Sequence, residues 1–360
     1  MKKSIFIIAL IAGTSANIFS QDLHFSQYNQ TPSLVNPALT GISNVMRASV
    51  IYKDQWRSIT VPYKTYGASI ELKFKGSNWE KAGKNLTKTY KKAFNRMAGG
   101  LSFYSDKAGD GNMGSTQVNL SLATFVPLTN NSSLSLGLQG SLVQKKVDYS
   151  KLLFPDQYSG TTYDPNIDQG ETFSANNFIY PDFAGGVAWS YGYNEKAIGA
   201  NNEFRANVGV SLYHFNQPRQ KFLSDTRERL NMKYVLHGDF LVGIPNSNVA
   251  LAPSYMAQIQ APSSEIVGGM MVKYYFSQDS KYTGYLKRSA VGIGAYYRNR
   301  DAMIISLLVE YQQYAIGMSY DLNTSKLREA STGRGGPEIF IRFVTPNPFL
   351  YQKKAKVSFM

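Results

Sequence analysis

Apolar and polar residues alternate along most of the chain beyond residue 44. Between 133 and 142, leucines alternate with small or polar residues, and the same period of two recurs in 204–212 and 314–320. A period of two places successive side chains on opposite faces of a β-strand. One face is therefore apolar and the other is small and polar, and the pattern predicts strands rather than helices.

These alternating runs are about 9–13 residues long, the length that a tilted strand needs to cross a bilayer, whereas strands of soluble proteins average about 5–6 residues. The runs are 45–56, 62–74, 97–106, 114–126, 133–145, 181–193, 203–214, 232–244, 247–259, 264–276, 288–299, 302–311, 313–321 and 336–344. Fourteen is an even number, as in single-chain bacterial barrels. Because each boundary is fixed only to within about 2–4 residues, 12 or 16 strands stay open. The sequence predicts an all-β, antiparallel transmembrane β-barrel over 45–344.

Composition agrees with a sheet that faces lipid. Only 17% of the residues are charged, against roughly 25% in ordinary soluble domains, while the chain has 25 Tyr, 20 Phe and 30 Gly. Aromatic residues near the ends of the runs are typical of the girdles at membrane interfaces. The absence of cysteine excludes a disulfide framework, Cys-ligated zinc and a thiol nucleophile.

The N-terminus has the features of an export signal. Lys2 and Lys3 precede an apolar stretch at 5–12, which is too short to span a bilayer. We predict a signal peptide over 1–20, cut after Ser20, and hence an outer-membrane location. A segment without alternation follows at 21–44, and we expect it to be either periplasmic or packed in the barrel lumen.

The pattern of loops predicts the orientation of the barrel. With both termini in the periplasm, the long connections 146–180, 215–231 and 322–335 face the exterior. We expect the C-terminal residues 345–360 to form a periplasmic tail. The basic segment 75–96 also falls on the periplasmic side, where it is either an amphipathic helix that docks on anionic lipid or an acidic partner, or a solvated loop.

The start of the mature chain resembles a known family. The residues that carry the resemblance are His24, Phe25, Ser26, Gln27, Tyr28, Asn36, Pro37, Gln55 and Trp56, with further matching stretches at 209–218, 236–238 and 317–321. The chain thereby resembles the PorP/SprF family of outer-membrane proteins, which are tied to the type IX secretion system of Bacteroidota. Two departures are Lys53, where Arg is expected, and the length of 75–96.

The resemblance implies a role in the secretion or surface anchoring of a large adhesin, in some members an adhesin of gliding motility. The implied partners are a secreted adhesin with a type IX C-terminal domain, other periplasmic or outer-membrane components of the system, and the lipid bilayer. The alternative is a small-solute transporter or porin, since the barrel pattern does not separate the two. Nucleic acid is excluded as a partner by the compartment, despite a net charge of +14.

Two of the predicted outer loops have the composition of a partner-binding surface. Loop 146–180 is rich in aromatic residues and has five acidic residues against two lysines, a net charge of −3, whereas loop 215–231 has four basic residues against two acidic ones, a net charge of +2. Exposed aromatic residues favour partner contact. The predicted partner-binding residues are Tyr158, Tyr163, Phe173, Phe178, Arg219 and Arg227.

No enzyme motif links the three histidines, His24, His214 and His237, so we expect a protein without catalytic activity. We expect no cofactor. Calcium is the one weak metal hypothesis, because clustered oxygen ligands suit Ca²⁺, although the spacing is not that of an EF-hand and ordinary turn chemistry explains the same residues. Its candidate ligands are Asp164, Asn166, Asp168 and Glu171.

The alternation also assigns faces to individual residues. Leu136 and Leu138 fall on the predicted lipid face, where an arginine near the midplane costs about 2–4 kcal/mol. Ser135 and Gly137 fall on the lumen face, where we expect the cost of an arginine to be much smaller.

Overall fold

The computed structural model describes most of the chain from the N-terminal motif to the last strand. The described residues are 24–42, 46–57, 61–74, 97–109, 111–129, 131–149, 152, 154–164, 166–167, 176–193, 201–220, 229–277, 289–325 and 327–345. The predicted signal peptide, the basic segment 75–96 and nearly all of the C-terminal tail lie outside them.

Fourteen strands run through the described residues, which confirms the predicted count. They are β1 (Met46–Gln55), β2 (Tyr63–Lys73), β3 (Met97–Ala108), β4 (Met113–Pro127), β5 (Ser132–Lys146), β6 (Asn177–Tyr193), β7 (Phe204–Tyr213), β8 (Lys233–Gly243), β9 (Val249–Gln260), β10 (Ser263–Ser277), β11 (Ser289–Arg298), β12 (Ala302–Tyr311), β13 (Tyr314–Asn323) and β14 (Arg334–Val344).

Every strand pairs antiparallel with its neighbours in sequence, and the sheet closes on itself through β1 and β14. The closing ladder runs from Arg47 opposite Val344 to Lys53 opposite Glu338. Closure leaves no open sheet edge, which is the condition for strands to span a bilayer. The architecture is a closed 14-stranded antiparallel β-barrel, as the sequence predicts.

The two faces of each strand differ as the alternation predicts. In β5, Leu138 is 69% exposed and Leu136 is also exposed, whereas Ser135 is 1% exposed and Gln139 is buried. The same contrast extends around the barrel, where outward-facing apolar side chains form the band that meets lipid. Within the described part of the chain, no helix has the length and apolar character to cross a membrane.

The strand connections divide into two sets, one at each end of the barrel. The set that joins β1 to β2, and every odd-numbered strand to the next, includes the long connections 147–176 and 214–232; we call this end the loop end. The opposite set includes the short connections 128–131, 244–248 and 312–313, and we call that end the turn end.

Short helical elements complete the described structure. A 3₁₀ turn at Tyr28–Gln30, helix α1 (Pro32–Val35) and a second 3₁₀ turn at Pro37–Leu39 precede the barrel in sequence. A further 3₁₀ turn at Pro155–Gln157 and helix α2 (Leu327–Ser331) lie in loop-end connections. Residues 24–42, which we call the lumen segment, lie against inward-facing side chains of the strands, and most of them are buried.

Candidate functional site

The first residues of the lumen segment bind to a carboxylate of the last strand. The backbone N–H groups of Ser26 and Gln27 donate to the two carboxylate oxygens of Glu338, each at 2.8 Å. Glu338 is buried on the lumen face of β14. A buried carboxylate needs such hydrogen bonds and nearby cations, and Lys53, its partner across the β1–β14 ladder, lies beside it.

Arg298 connects the same part of the lumen segment to two more strands, β11 and β13. Its guanidinium is 2% exposed and donates to Ser26 Oγ at 2.8 Å and to Asp321 Oδ2 at 3.2 Å, while the Ser26 hydroxyl donates to Asp321 at 2.7 Å. A second edge of the guanidinium donates to Asp301 at 2.8 Å, and its Nε lies 3.5 Å from Glu265. The buried charge is thus surrounded by acceptors, as burial requires.

His24 lies at the edge of this network. Its Nδ1 is 3.7 Å from Glu265, and its carbonyl oxygen accepts from Lys53 Nζ at 3.4 Å. Burial lowers the pKa of His24 to about 4, and the nearby cations Lys53 and Arg298 act in the same direction, against the opposing effect of Glu265. His24 is therefore neutral at pH 7.

Phe25 and Tyr28 supply the apolar contacts of the segment. Phe25 is buried, and its ring centroid lies 5.9 Å from that of Tyr104 on β3. Tyr28 is buried as well, and its hydroxyl donates to Ser254 Oγ on β9 at 2.8 Å. The two rings therefore fill the lumen between opposite walls of the barrel, which explains why aromatic residues occupy this motif.

Asn36, Pro37 and Ala38 rest on a patch of wall that has no side chains. A Cβ added at Gly137 on β5 would overlap the backbone of Pro37 and Ala38, and one added at Gly186 on β6 would overlap the side chain of Asn36. Gly137 and Gly186 face each other across the β5–β6 ladder. Glycine at these positions lets the segment approach the sheet backbone directly.

The Asn36 side chain fixes the segment on this patch. Its amide nitrogen lies 3.0 Å from Val187 O and 3.2 Å from Val210 O, and 3.0 Å from His237 Nε2, while its oxygen accepts from the Ala38 N–H at 2.9 Å. Because an amide N–H donates, His237 Nε2 is the acceptor and the ring is neutral. One side chain thereby joins β6, β7 and β8 to the segment.

The segment is also held at the turn end. Arg47 donates to Gln30 O at 2.8 Å, and Arg342 donates to Gln30 Oε1 at 2.7 Å. Farther along, the Gly41 N–H donates to Glu71 Oε2 at 2.9 Å. Anchors at both ends and in the middle indicate a fixed part of the barrel rather than a loose arm.

Two cavities lie on either side of the lumen segment. The loop-end cavity has a volume of about 350 Å³, and the segment contributes His24 and Leu34 to its lining. The turn-end cavity has a volume of about 270 Å³, and Arg47, Arg205 and Lys273 line it together with residues 26–30 of the segment. The segment therefore separates the two cavities within the described structure.

Gln55 and Trp56 belong to the loop end of β1. Gln55 is buried, and the Trp56 N–H donates to Gly335 O at 2.6 Å, beside the start of β14. Gly336 has a φ of +152°, and a Cβ there would overlap the Asp54 carbonyl, so only glycine allows this approach. This part of the motif holds the closing seam of the barrel.

The partner-binding residues predicted in loop 146–180 have different surroundings. Tyr158 and Tyr163 are about half exposed, form an antiparallel bridge and bring their ring centroids to 5.3 Å. Phe178 differs from the expectation, because β6 begins at Asn177 and Phe178 is buried at 8% exposure among Val143, Tyr180 and Leu230. Phe173 lies outside the described residues.

The second predicted loop is described only at its two ends. Arg219 forms an antiparallel backbone bridge with Arg229 at the base of the loop. Arg227 lies outside the described residues, so the predicted pairing with the acidic loop stays a prediction.

The calcium candidates include two described residues. Asp164 Oδ1 accepts from both the backbone N–H and the side-chain amide of Asn166, each at 2.9 Å, which is ordinary turn chemistry. Asp168 and Glu171 lie outside the described residues. Among the described residues, no group of three or more His, Asp or Glu side chains is arranged to hold a metal ion.

The other two histidines, His214 directly after β7 and His237 on β8, make contacts within the barrel. His214 Nδ1 lies 2.9 Å from Asp182 Oδ2, and His237 Nε2 meets Asn36. These contacts join neighbouring strands and the lumen segment.

A comparison with family models assigns the chain. The model described as "Type IX secretion system membrane protein PorP/SprF" matches residues 17–343. The chain belongs to the PorP/SprF family. It is therefore an outer-membrane β-barrel of the type IX secretion system, and the resemblance seen at the N-terminal motif is confirmed. No curated protein matches the chain at a significant level.

Solved outer-membrane proteins are similar to the chain at low identity. The Ralstonia pickettii toluene transporter TbuX is 10% identical, with a TM-score of 0.44 over 88% of this chain and 94% of that chain. A Pseudomonas aeruginosa FadL homologue is 11% identical, with a TM-score of 0.42 over 91% of this chain and 94% of that chain. BamA from Haemophilus ducreyi, lacking POTRA domains 1–3, is 10% identical, with a TM-score of 0.40 over 84% and 70%.

The partners of the motif on the barrel wall do not follow from the sequence pattern. Glu338, Arg298 and the glycines that receive Asn36 and Pro37 were not among the predicted site residues. One signal was present, because charged residues such as Glu338 and Arg298 occupied lumen-face positions of alternating runs. A charge at such a position needs a partner inside the barrel.

Proposed function

We propose that this PorP/SprF protein holds a secreted adhesin at the cell surface by binding its C-terminal region, without catalysing a reaction. The observation that carries the proposal is the lumen segment, which is anchored at both ends of the barrel and separates its two cavities. A lumen filled in this way favours binding over passage. Membership of a secretion-system family supplies the class of partner.

The loop end offers the exposed surface for this contact. Tyr158 and Tyr163 present two rings that are about half exposed on a small, bridged tip. Aromatic anchors of this kind contribute most of the binding energy in protein interfaces. We expect the charges of the two outer loops to steer the encounter, as complementary charges do, and the adhesin to be one of gliding motility in a member of the Bacteroidota.

The test removes these rings in a cell that carries the adhesin. In Y158S/Y163S, we expect the barrel to reach the outer membrane in normal amount while the adhesin is released into the medium. The matched control is Y311S/Y314S, which removes a second exposed, cross-strand tyrosine pair at the turn end. The control should keep the adhesin attached.

Retention of the adhesin by Y158S/Y163S, and by a deletion of 155–175, would contradict the loop contact. Flux of small sugars through the purified wild-type barrel in liposomes would instead favour the porin alternative. A pull-down from solubilised outer membrane, with identification of the co-purifying secreted protein, then names the partner.

A further inference from the structure

The loop-end cavity lies between the lumen segment and the outer mouth of the barrel. Side chains from β1 to β8 line its wall, and His24 and Leu34 of the lumen segment line it from within the lumen. It reaches the loop end, because Ala108 and Met113, the adjoining ends of β3 and β4, also line it. Long connections of outer-membrane barrels are extracellular, so the cavity lies on the extracellular side of the lumen segment.

Several buried polar groups of this lining have no hydrogen-bond partner among the described residues. They are the Trp56 Nε1–H, the Thr65 hydroxyl, Asp182 Oδ1 and His24 Nε2. A buried polar group without a partner is costly, and most buried polar groups in proteins are therefore paired. Four such groups around one cavity indicate a place where a bound molecule supplies the missing partners.

The unpaired groups include both donors and acceptors. An indole N–H only donates and a carboxylate oxygen only accepts, while a threonine hydroxyl does either. The proton of neutral His24 is favoured on Nδ1, which lies 3.7 Å from the Glu265 carboxylate, and Nε2 is then an acceptor. Hydroxyl groups suit this mixture, because each one donates once and accepts twice. A carboxylate ligand only accepts, so it would leave Asp182 and His24 unpaired.

Aromatic rings add apolar surface beside these polar groups. Trp56 and Tyr63 line the cavity with their ring centroids 6.1 Å apart and their planes at 71°, and Tyr180 and Tyr213 line it from β6 and β7. An aromatic lining with a few placed polar groups is typical of small-molecule sites. A sugar ring fits both features, since its C–H faces are apolar and its edge carries hydroxyl groups.

Charge and size favour a neutral and short ligand. The lining has three lysines, at positions 53, 145 and 233, against Asp106 and Asp182, so its charges are nearly balanced. Its volume of about 350 Å³ lies near the lower limit of small-molecule sites, which is about 300 Å³. Because the lumen segment separates this cavity from the next one, the cavity has room for the end of a chain but not for a chain that continues through the barrel.

We propose that the loop-end cavity binds the terminal sugar rings of a neutral glycan from outside the cell. The proposal rests on unpaired donors and acceptors that lie beside aromatic rings in a cavity closed by the lumen segment. It goes beyond the adhesin contact proposed for Tyr158 and Tyr163 and does not depend on it.

Tryptophan fluorescence reports binding at the cavity itself. Of the three tryptophans of the chain, Trp56 lines the cavity, Trp189 is exposed on the outer face of β6, and Trp79 lies outside the described residues. W79F/W189F therefore leaves Trp56 as the single indole. This full-length barrel in lipid nanodiscs is titrated with neutral disaccharides of glucose, galactose, mannose and N-acetylglucosamine, and in parallel with the dipeptide glycylglycine.

We expect a saturable change in Trp56 emission with at least one disaccharide and none with glycylglycine. No saturable change with any disaccharide would overturn the proposal. A saturable change with glycylglycine alone would assign the cavity to the end of a peptide and would overturn it as well.

Two threonine variants in the same background locate the binding site. T65V removes the unpaired hydroxyl of the cavity, and T40V makes the same change at a buried, unpaired hydroxyl of the lumen segment that lines neither cavity. Loss of an unpaired hydroxyl should leave folding nearly unchanged in both, as gel mobility checks. We expect T65V to bind the disaccharide about 3- to 10-fold more weakly, as the loss of one hydrogen bond predicts, and T40V to bind it as before.

Equal disaccharide affinities of T65V and T40V would show that the sugar binds elsewhere, and the proposal would fail. Retention of the adhesin by Y158S/Y163S is measured separately in cells, so either proposal can fail without the other.

Discussion

The two faces of strand β5 differ in how strictly they determine their residues. On the outer face, Leu136 and Leu138 are exposed where the barrel meets the bilayer. On the inner face, Ser135 donates to Ala188 O at 3.1 Å, and Gly137 lies against the backbone of Pro37 and Ala38. The outer face needs only apolar character, whereas the inner face needs individual residues because a second piece of chain packs on it.

The lumen of this barrel is therefore a packed interior. A pore lining tolerates large polar side chains, because water accommodates them. Here the inward positions combine fully buried charges such as Arg298 and Glu338 with glycines in direct contact with the lumen segment. Substitutions there should behave like core substitutions in a soluble protein.

The largest effect is expected for the buried cation of the lumen. Replacing Arg298 by Met leaves Asp321 and Glu265 buried without their cation, and breaking a buried pair in this way costs about 3–5 kcal/mol. The measurement is urea unfolding in lipid vesicles, followed by gel mobility. R300M, which changes an exposed arginine two residues away, is the control. Equal stability of the two variants would show that the lumen network contributes nothing.

A somewhat smaller effect is expected on the lipid face. Leu138→Arg places a charge near the membrane midplane and should cost about 2–4 kcal/mol in the same assay. Ser132→Arg lies on the same face at the turn end of β5, where the cost should fall to about 0–1 kcal/mol. If both positions tolerated arginine equally, the assignment of β5 to the bilayer would be wrong.

A neighbouring pair of glycines tests the contrast most directly. Gly186→Ala adds a methyl group against the Asn36 side chain and should cost about 1–3 kcal/mol, as overpacking does. Gly185→Ala on the other face meets Leu138 Cδ2 at 3.4 Å, an ordinary contact. Both changes restrict the unfolded chain alike, so their difference reports the packing. Identical unfolding midpoints would place the lumen segment away from the wall.

The last expected effect concerns pH. The pKa of His24 falls from 6.5 in the unfolded chain to about 4 in the folded protein, so the unfolded state binds more protons between those values and stability is lost as pH falls from about 6.5 to about 4. H24Q should lose less stability than the wild type between pH 7 and 4.5. The lowered pKa of about 4 already includes the attraction between protonated His24 and Glu265, whose carboxylate lies 3.7 Å away. Parallel losses in both proteins would assign the pH dependence to other groups.

Much of the barrel was predictable because the bilayer requires an apolar side chain at nearly every outward position. Alternation gave the strand count and the lipid face of Leu136 and Leu138. The predicted start of β6, at residue 181, is four residues too late, since the strand begins at Asn177. The alternation continues through these residues, because Ile179 faces outward while Phe178 and Tyr180 face inward.

The contents of the lumen were not predictable from the same pattern. A period of two assigns Gly137 to the inner face, but it does not reveal that Pro37 and Ala38 occupy the space above it. The expectation that an arginine at Gly137 or Ser135 would cost little stability is therefore wrong. Pairing a distant segment with a wall requires knowledge of contacts across the sequence, and the motif at 24–37 signalled only that such contacts matter.

The bonds from Ser26 and Gln27 to Glu338 have a consequence for the order of folding. They join residues 312 and 311 positions apart, so the start of the chain cannot complete its contacts until the last strand has arrived. Contacts of such long range form slowly because a very large loop must close first. Closure of the β1–β14 seam and anchoring of the first turn are therefore one late event. A chain without β14 therefore has an open sheet edge at β1 and lacks the carboxylate that holds Ser26 and Gln27.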